Sequence, residues 1–126
     1  MTARKLLIAD DSNIVRSKIA RALGQHGLHI VGLAANGREA LELFKATRPD
    51  VLTMDLTMPE MDGIECIRAI RALDAKVRIL VVSALSDKGT AIQALKQGAQ
   101  GFLDKPFTEA ELSDAIGELL GESGNG

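Results

Sequence analysis

Val51-Leu52-Thr53-Met54-Asp55-Leu56-Thr57-Met58-Pro59-Glu60-Met61-Asp62-Gly63 is the stretch from which the rest of the chain can be read. Its first four residues form a short run without polar alternation, as a strand covered on both faces requires. Asp55 closes that run, and a loop punctuated by Pro59 and Gly63 follows. An ionisable side chain just past such a strand stands where an open parallel sheet presents its ligand crevice.

The same arrangement of apolar run, polar residue and helix-period segment recurs on either side. Leu6-Leu7-Ile8-Ala9 leads into Asp10-Asp11, and Ser12 to Leu23 then places Val15, Ile19, Ala22 and Leu23 on one helical face. His29-Ile30-Val31-Gly32-Leu33 is less uniformly apolar, as an edge strand would be, and a helix from about Gly37 to Thr47 packs through Ala40, Leu41 and Phe44. After Gly63 a helix turns Ile64, Ile67 and Ile70 inward and leaves Arg68 and Arg71 to water. Arg78-Ile79-Leu80-Val81-Val82 is strongly β-branched and reads as a central strand ending at Ser83. A helix from about Lys88 to Gln97 is anchored by Ile92 and Leu95, and Phe102-Leu103 is a short strand before Lys105-Pro106. Thr108 and Glu111 are spaced as a capping box, with Phe107 and Leu112 as its hydrophobic staple, ahead of the stripe Leu112, Ile116, Leu119 and Leu120. Five strands and five helices in strict alternation predict an α/β fold, a doubly wound five-stranded parallel sheet of flavodoxin-like order 2-1-3-4-5. In that order Asp10, Asp11 and Asp55 share the crevice between the first and third strands, with Ser83 and Lys105 on the opposite lip.

The 126 residues suit one domain, over 1–121, with 122–126 as a flexible C-terminal tail. A net charge of -2 leaves no basic field for direct nucleic-acid binding. The start of the chain has too few apolar residues before Asp10 for a signal peptide or membrane insertion, so a cytoplasmic location is expected. Cys66 is the sole cysteine, which excludes an internal disulfide or thiolate zinc site and suggests a packed small residue.

Three carboxylates brought together repel one another, and a hard divalent cation relieves this. Magnesium suits the set, since it takes oxygen ligands and commonly uses one or two carboxylates beside phosphate oxygens. A carboxylate can also attack phosphorus to give an aspartyl phosphate, and Asp55 is central to the group. Lys105 offers a point charge and Ser83 a donor for a phosphoryl oxygen. Taken singly, Asp62, Asp87 and Asp104 read as caps or turn formers, Asp10-Asp11 as a cap, and Ser83 as a turn residue. Their joint placement at the ends of strands one, three, four and five is not accounted for by caps.

Asp10-Asp11-Ser12, the run from Met54 to Gly63, Ser83-Ala84 and Lys105-Pro106-Phe107 together resemble the receiver domain of bacterial response regulators, over about 5–120. The stretch around Asp55 is similar to stand-alone chemotaxis regulators. The resemblance implies that Asp55 is the phosphoacceptor for a sensor histidine kinase. It implies that Asp10, Asp11, Asp55 and the Thr57 backbone carbonyl hold magnesium, that Ser83 and Lys105 contact the phosphoryl oxygens, and that the Lys105-Pro106 peptide is cis. Phe102 would occupy an aromatic switch position where chemotaxis members commonly have Tyr, and Ser83 would move with it. Leu85, apolar and two residues after Ser83, would shield the acyl phosphate from water. Such a chain catalyses only its own phosphorylation and dephosphorylation. It would signal to a protein target through its fourth helix, fifth strand and fifth helix, as a monomer or a phosphorylation-dependent dimer. A phosphorelay intermediate or phosphate sink are alternatives. A phosphohydrolase of the haloacid dehalogenase type fits poorly, because that family places its nucleophile after the first strand with an acid, not a Thr, two residues on.

Overall fold

The computed structural model describes residues 4–56, 58, 61–84 and 88–121, the Lys88 side chain excepted. Ten elements alternate along it: β1 (Lys5–Ala9), α1 (Asn13–Gly24), β2 (His29–Ala34), α2 (Gly37–Thr47), β3 (Val51–Met54), α3 (Gly63–Leu73), β4 (Arg78–Ser83), α4 (Lys88–Gln97), β5 (Gly101–Asp104) and α5 (Glu109–Leu119). The strands form one parallel sheet in the order β2-β1-β3-β4-β5. This is the flavodoxin-like order expected, with β2 at an edge.

Strand periodicity divides the core into two layers. Leu7, Ala9, Leu52, Met54, Ile79 and Val81 face α2 and α3, where Phe44, Cys66, Ile67 and Ile70 are buried. Leu6, Ile8, Val51, Leu80 and Val82 face α1 and α5, where Ile19, Leu23, Leu112 and Ile116 are buried. Four helices start at side-chain caps. Ser12, Asn36 and Asp62 cap α1, α2 and α3, and Thr108 with Glu111 forms the expected capping box of α5.

Four local expectations need correction. Ile92 and Leu95 do not anchor α4; they are 51% and 46% exposed, and Ala94 is the fully buried residue of that helix. A methyl group lets the helix lie close to its neighbours, which a Leu or Ile at that position would prevent. Arg71 does not simply face water. It is half-buried, and its Nη2 donates to the Gly98 carbonyl at 2.7 Å, tying α3 to the turn before β5. Ser12 is the cap that precedes α1 rather than its first residue, which leaves Asp10 and Asp11 free of the capping role, in line with the reading that caps do not account for them. Asp104 is the exposed last residue of β5, while the cap after it is Thr108.

Candidate phosphoryl-transfer site

The sheet positions the polar residues by extending its ladder past the strand ends. The Asp10 N–H donates to the Ala34 carbonyl (3.0 Å), Asp55 N–H to Ala9 (2.9 Å) and Lys105 N–H to Ser83 (3.1 Å). Adjacent rungs on β1 and β3 thus place two carboxylates side by side, and the rungs on β4 and β5 aim a hydroxyl and an ammonium at them. Two glycines let the β3–α3 loop lie close. A Cβ on Gly63 would stand 2.6 Å from Leu56 Cα and 2.7 Å from the Asp55 carbonyl oxygen, and one on Gly37 would overlap the Met61 carbonyl.

Asp10, Asp55 and Ser83 are 1%, 2% and 0% exposed, so each carboxylate needs compensation. Ser83 Oγ donates to Asp55 Oδ1 at 3.1 Å, and Lys105 Nζ lies 3.3 Å from Asp55 Oδ2. The same ammonium is 2.7 Å from Asp10 Oδ2. Asp10 Oδ1 accepts the Ser12 N–H at 2.9 Å. Asp10 Oδ2 is met by the Lys105 ammonium and by no second donor among the described residues, so part of its acceptor capacity stays unfilled. Asp11 is exposed, and one carboxylate oxygen from each of Asp10, Asp11 and Asp55 lies within 4.8 Å of the others. This all-oxygen set with one under-satisfied buried oxygen fits a hard divalent cation.

Burial raises the Asp10 pKa above its usual range, and the neighbouring Asp55 charge adds to this against the opposing Lys105 and Ser12 bonds. For Lys105, burial favours the neutral amine, but the Asp10 hydrogen bond and the charges of Asp55 and Asp10 outweigh it and raise its pKa. Lys105 therefore stays an ammonium held between two carboxylates.

Of the predicted side chains, Asp10, Asp11, Asp55, Ser83 and Lys105 meet here. Phe102 is half-buried on β5, packed against the α2/α3 layer of the core. The Lys105–Pro106 peptide is cis. Thr57, Leu85 and Asp87 lie outside the described residues. Sequence reasoning missed two cations of α1. Arg16 Nη1 donates to the Asp10 carbonyl at 2.6 Å, and Lys18 Nζ to the Phe107 carbonyl at 2.5 Å. Neither spacing carries a local signal, because both partners come from outside the helix. It also passed over Ile14, which is 80% exposed beside the site. Its signal was phase, since Ile14 falls off the stripe of Val15, Ile19, Ala22 and Leu23.

A family model described as response regulator receiver domain matches residues 6–117. The chain is similar to chemotaxis protein CheY of Thermotoga maritima, with 38% identity over 92% of this chain and 97% of the relative. Similarity to CheY of Bacillus subtilis is 40% over 94% and 98% of the two chains. Among solved structures, a chain of the CheX–CheY–BeF3–Mg complex from Borrelia burgdorferi superimposes with a TM-score of 0.89 at 31% identity, covering 93% of this chain and 89% of that one. CheY4 of Vibrio cholerae gives 0.87 at 30% identity, over 94% and 99%.

Proposed function

The chain belongs to the response regulator receiver family, and on that premise we propose that it is a phosphorylation-activated switch of a two-component system with Asp55 as phosphoacceptor. One observation carries the reading: Asp55 is buried at a strand end with a hydroxyl on one carboxylate oxygen and an ammonium on the other. A helix cap or turn former needs neither.

A carboxylate oxygen of Asp55 attacks the phosphorus of a kinase phosphohistidine, the P–N bond breaks, and its electron pair leaves on the imidazole. The chain's own residues supply position and charge, which phosphoryl transfer chiefly requires. Lys105 and Ser83, already on the two Asp55 oxygens, re-form their bonds to phosphoryl oxygens. Asp10, Asp11 and Asp55 would hold magnesium, together with the Thr57 carbonyl, and magnesium bound there would neutralise charge on the transferring group. The complex from Borrelia, which contains BeF3 and magnesium, supports this assignment.

Output is read on the face of α4, β5 and α5. Ile92 and Leu95 support this, because two large apolar side chains turned to solvent on one helix suit a protein target. Phe102 on β5 is the switch residue between the site and that face.

Acetyl phosphate with magnesium tests the reading by intact mass. The wild type is expected to gain a single phosphoryl adduct and Asp55→Asn none. A wild type that stays unmodified, or an adduct that persists in the variant, would overturn it.

A further inference from the structure

We infer that Lys18 on α1 is a positioning residue for Lys105, latching the β5–α5 loop to the first helix. The inference builds on the proposed role of Asp55, and adds a residue that no motif around the site contains. Lys18 Nζ donates to the Phe107 carbonyl at 2.5 Å and stands 4.5 Å from the centre of the Phe107 ring. One ammonium thus holds both the backbone and the side chain of a residue 89 positions away. A charge-assisted bond is roughly twice as strong as a neutral one, and the ring contact adds a cation–π attraction.

The loop held in this way is short. Lys105 enters it through its N–H bond to Ser83, and Thr108 leaves it as the cap of α5. Between those two points, Phe107 is 5% exposed and packs in the α1/α5 layer of the core. Lys18 supplies the only described bond to the loop's own carbonyls, and it does so beside the lysine that must reach both Asp10 at 2.7 Å and Asp55 at 3.3 Å. The rest of Lys18 fits the part. It is half-buried and lines, with Val15, Lys105, Pro106 and Phe107, an apolar groove of about 390 Å³. Its stem can lie along apolar surface while its head is fixed.

If the latch opens, Phe107 no longer pins the loop and the Lys105 ammonium loses its place over the two carboxylates. A misplacement of about 1 Å in such a group can cost on the order of a hundredfold in rate. Lys18→Met keeps the stem and removes donor and charge, whereas Lys18→Arg keeps all three.

The maximal rate of phosphorylation by acetyl phosphate is expected to fall about tenfold in Lys18→Met and to recover most of that loss in Lys18→Arg. In a Lys105→Ala background, Lys18→Met should add no further loss, because the two residues act as a unit. A plain structural role would add its loss in both backgrounds. A second readout needs no phosphorylation: the NMR signal of Lys105 Cε in the magnesium-free protein should move in Lys18→Met and return in Lys18→Arg. A Lys18→Met protein at the wild-type rate, an additive loss in the double variant, or an unmoved Lys105 signal would each overturn the latch. A wild type that takes up no phosphoryl group would overturn the function proposed for Asp55, and the Lys105 signal would then decide the latch alone.

Discussion

Asp10 shows most directly what the site costs the fold. Its pKa is raised by burial and by Asp55, so its share of stability is present below 3.8, its ordinary value, and is lost as pH rises and the carboxylate ionises. Burial thus sets Asp10 against stability and the Lys105 ammonium beside it offsets part of that, a tension common where residues serve chemistry rather than packing. Cys66 is the opposite case. Its thiol is fully buried, lies 3.5 Å from the Gly37 carbonyl, and is pushed from 9.0 up to about 12 by burial and then by the charge of Asp62. The folded pKa is the higher one, so this group's stabilising contribution is complete below pH 9.0 and lost as pH rises toward about 12. The folded protein should therefore resist a thiol reagent at about pH 8 while the urea-unfolded chain reacts at once. The urea midpoint should fall above pH 9.0 more steeply in wild type than in Cys66→Ala. Rapid stoichiometric labelling of the folded protein would contradict this assignment.

At the scale of elements, α4 is the least anchored helix and the one whose sequence misleads. Its large apolar residues, Ile92 and Leu95, point outward, and among its described residues Ala94 alone is fully buried. Polar bonds do much of the holding: Arg68 Nε donates to Gln97 Oε1 at 3.1 Å and Arg71 Nη2 to the Gly98 carbonyl at 2.7 Å. Ile92→Ser and Leu95→Ser should thus change stability by no more than about 0.5 kcal/mol. Ala94→Leu, which overfills a closed space, should cost about 1–3 kcal/mol. Urea denaturation distinguishes these outcomes, and a large loss in Ile92→Ser would restore that side chain to the core. The expectation failed here because apolar spacing along one helix indicates a stripe without telling which side the sheet will take. β4 and α5 were legible for the converse reason. An unbroken apolar run rich in β-branched residues fits a strand buried on both faces, and the Thr108 and Glu111 pair specifies the start of α5 locally.

For the molecule as a whole, switching requires the phosphoryl group to contact two arrangements differently. Ser83 is fully buried and already bonded to Asp55, and Phe102 lies half-buried on the neighbouring strand; in the relay proposed for this chain, a shift of Ser83 toward the phosphate would open space on the Phe102 side. Ser83→Ala should still accept a phosphoryl group. It loses a hydrogen bond worth about 0.5–1.5 kcal/mol, which reduces the active-to-inactive ratio about two- to tenfold. The Phe102 ring signals on phosphorylation measure that ratio by NMR. A Ser83→Ala protein whose Phe102 responds in full would rule Ser83 out of the relay.

The alternation of strand runs and helix segments, the caps, and the polar residues at the strand ends are determined by the sequence, because each depends on neighbours within a few positions. The doubly wound sheet follows from them, since parallel strands with short connections admit few orders. Tertiary structure alone decided which face of α4 is buried, that Arg71 braces a turn 27 positions away, and that Lys105 sits between Asp10 and Asp55. It also decided that Lys18 reaches Phe107. These are meetings between residues distant in the chain, and only pairing of the strands and packing of helices on the sheet set the distances at which charge and hydrogen bonding act.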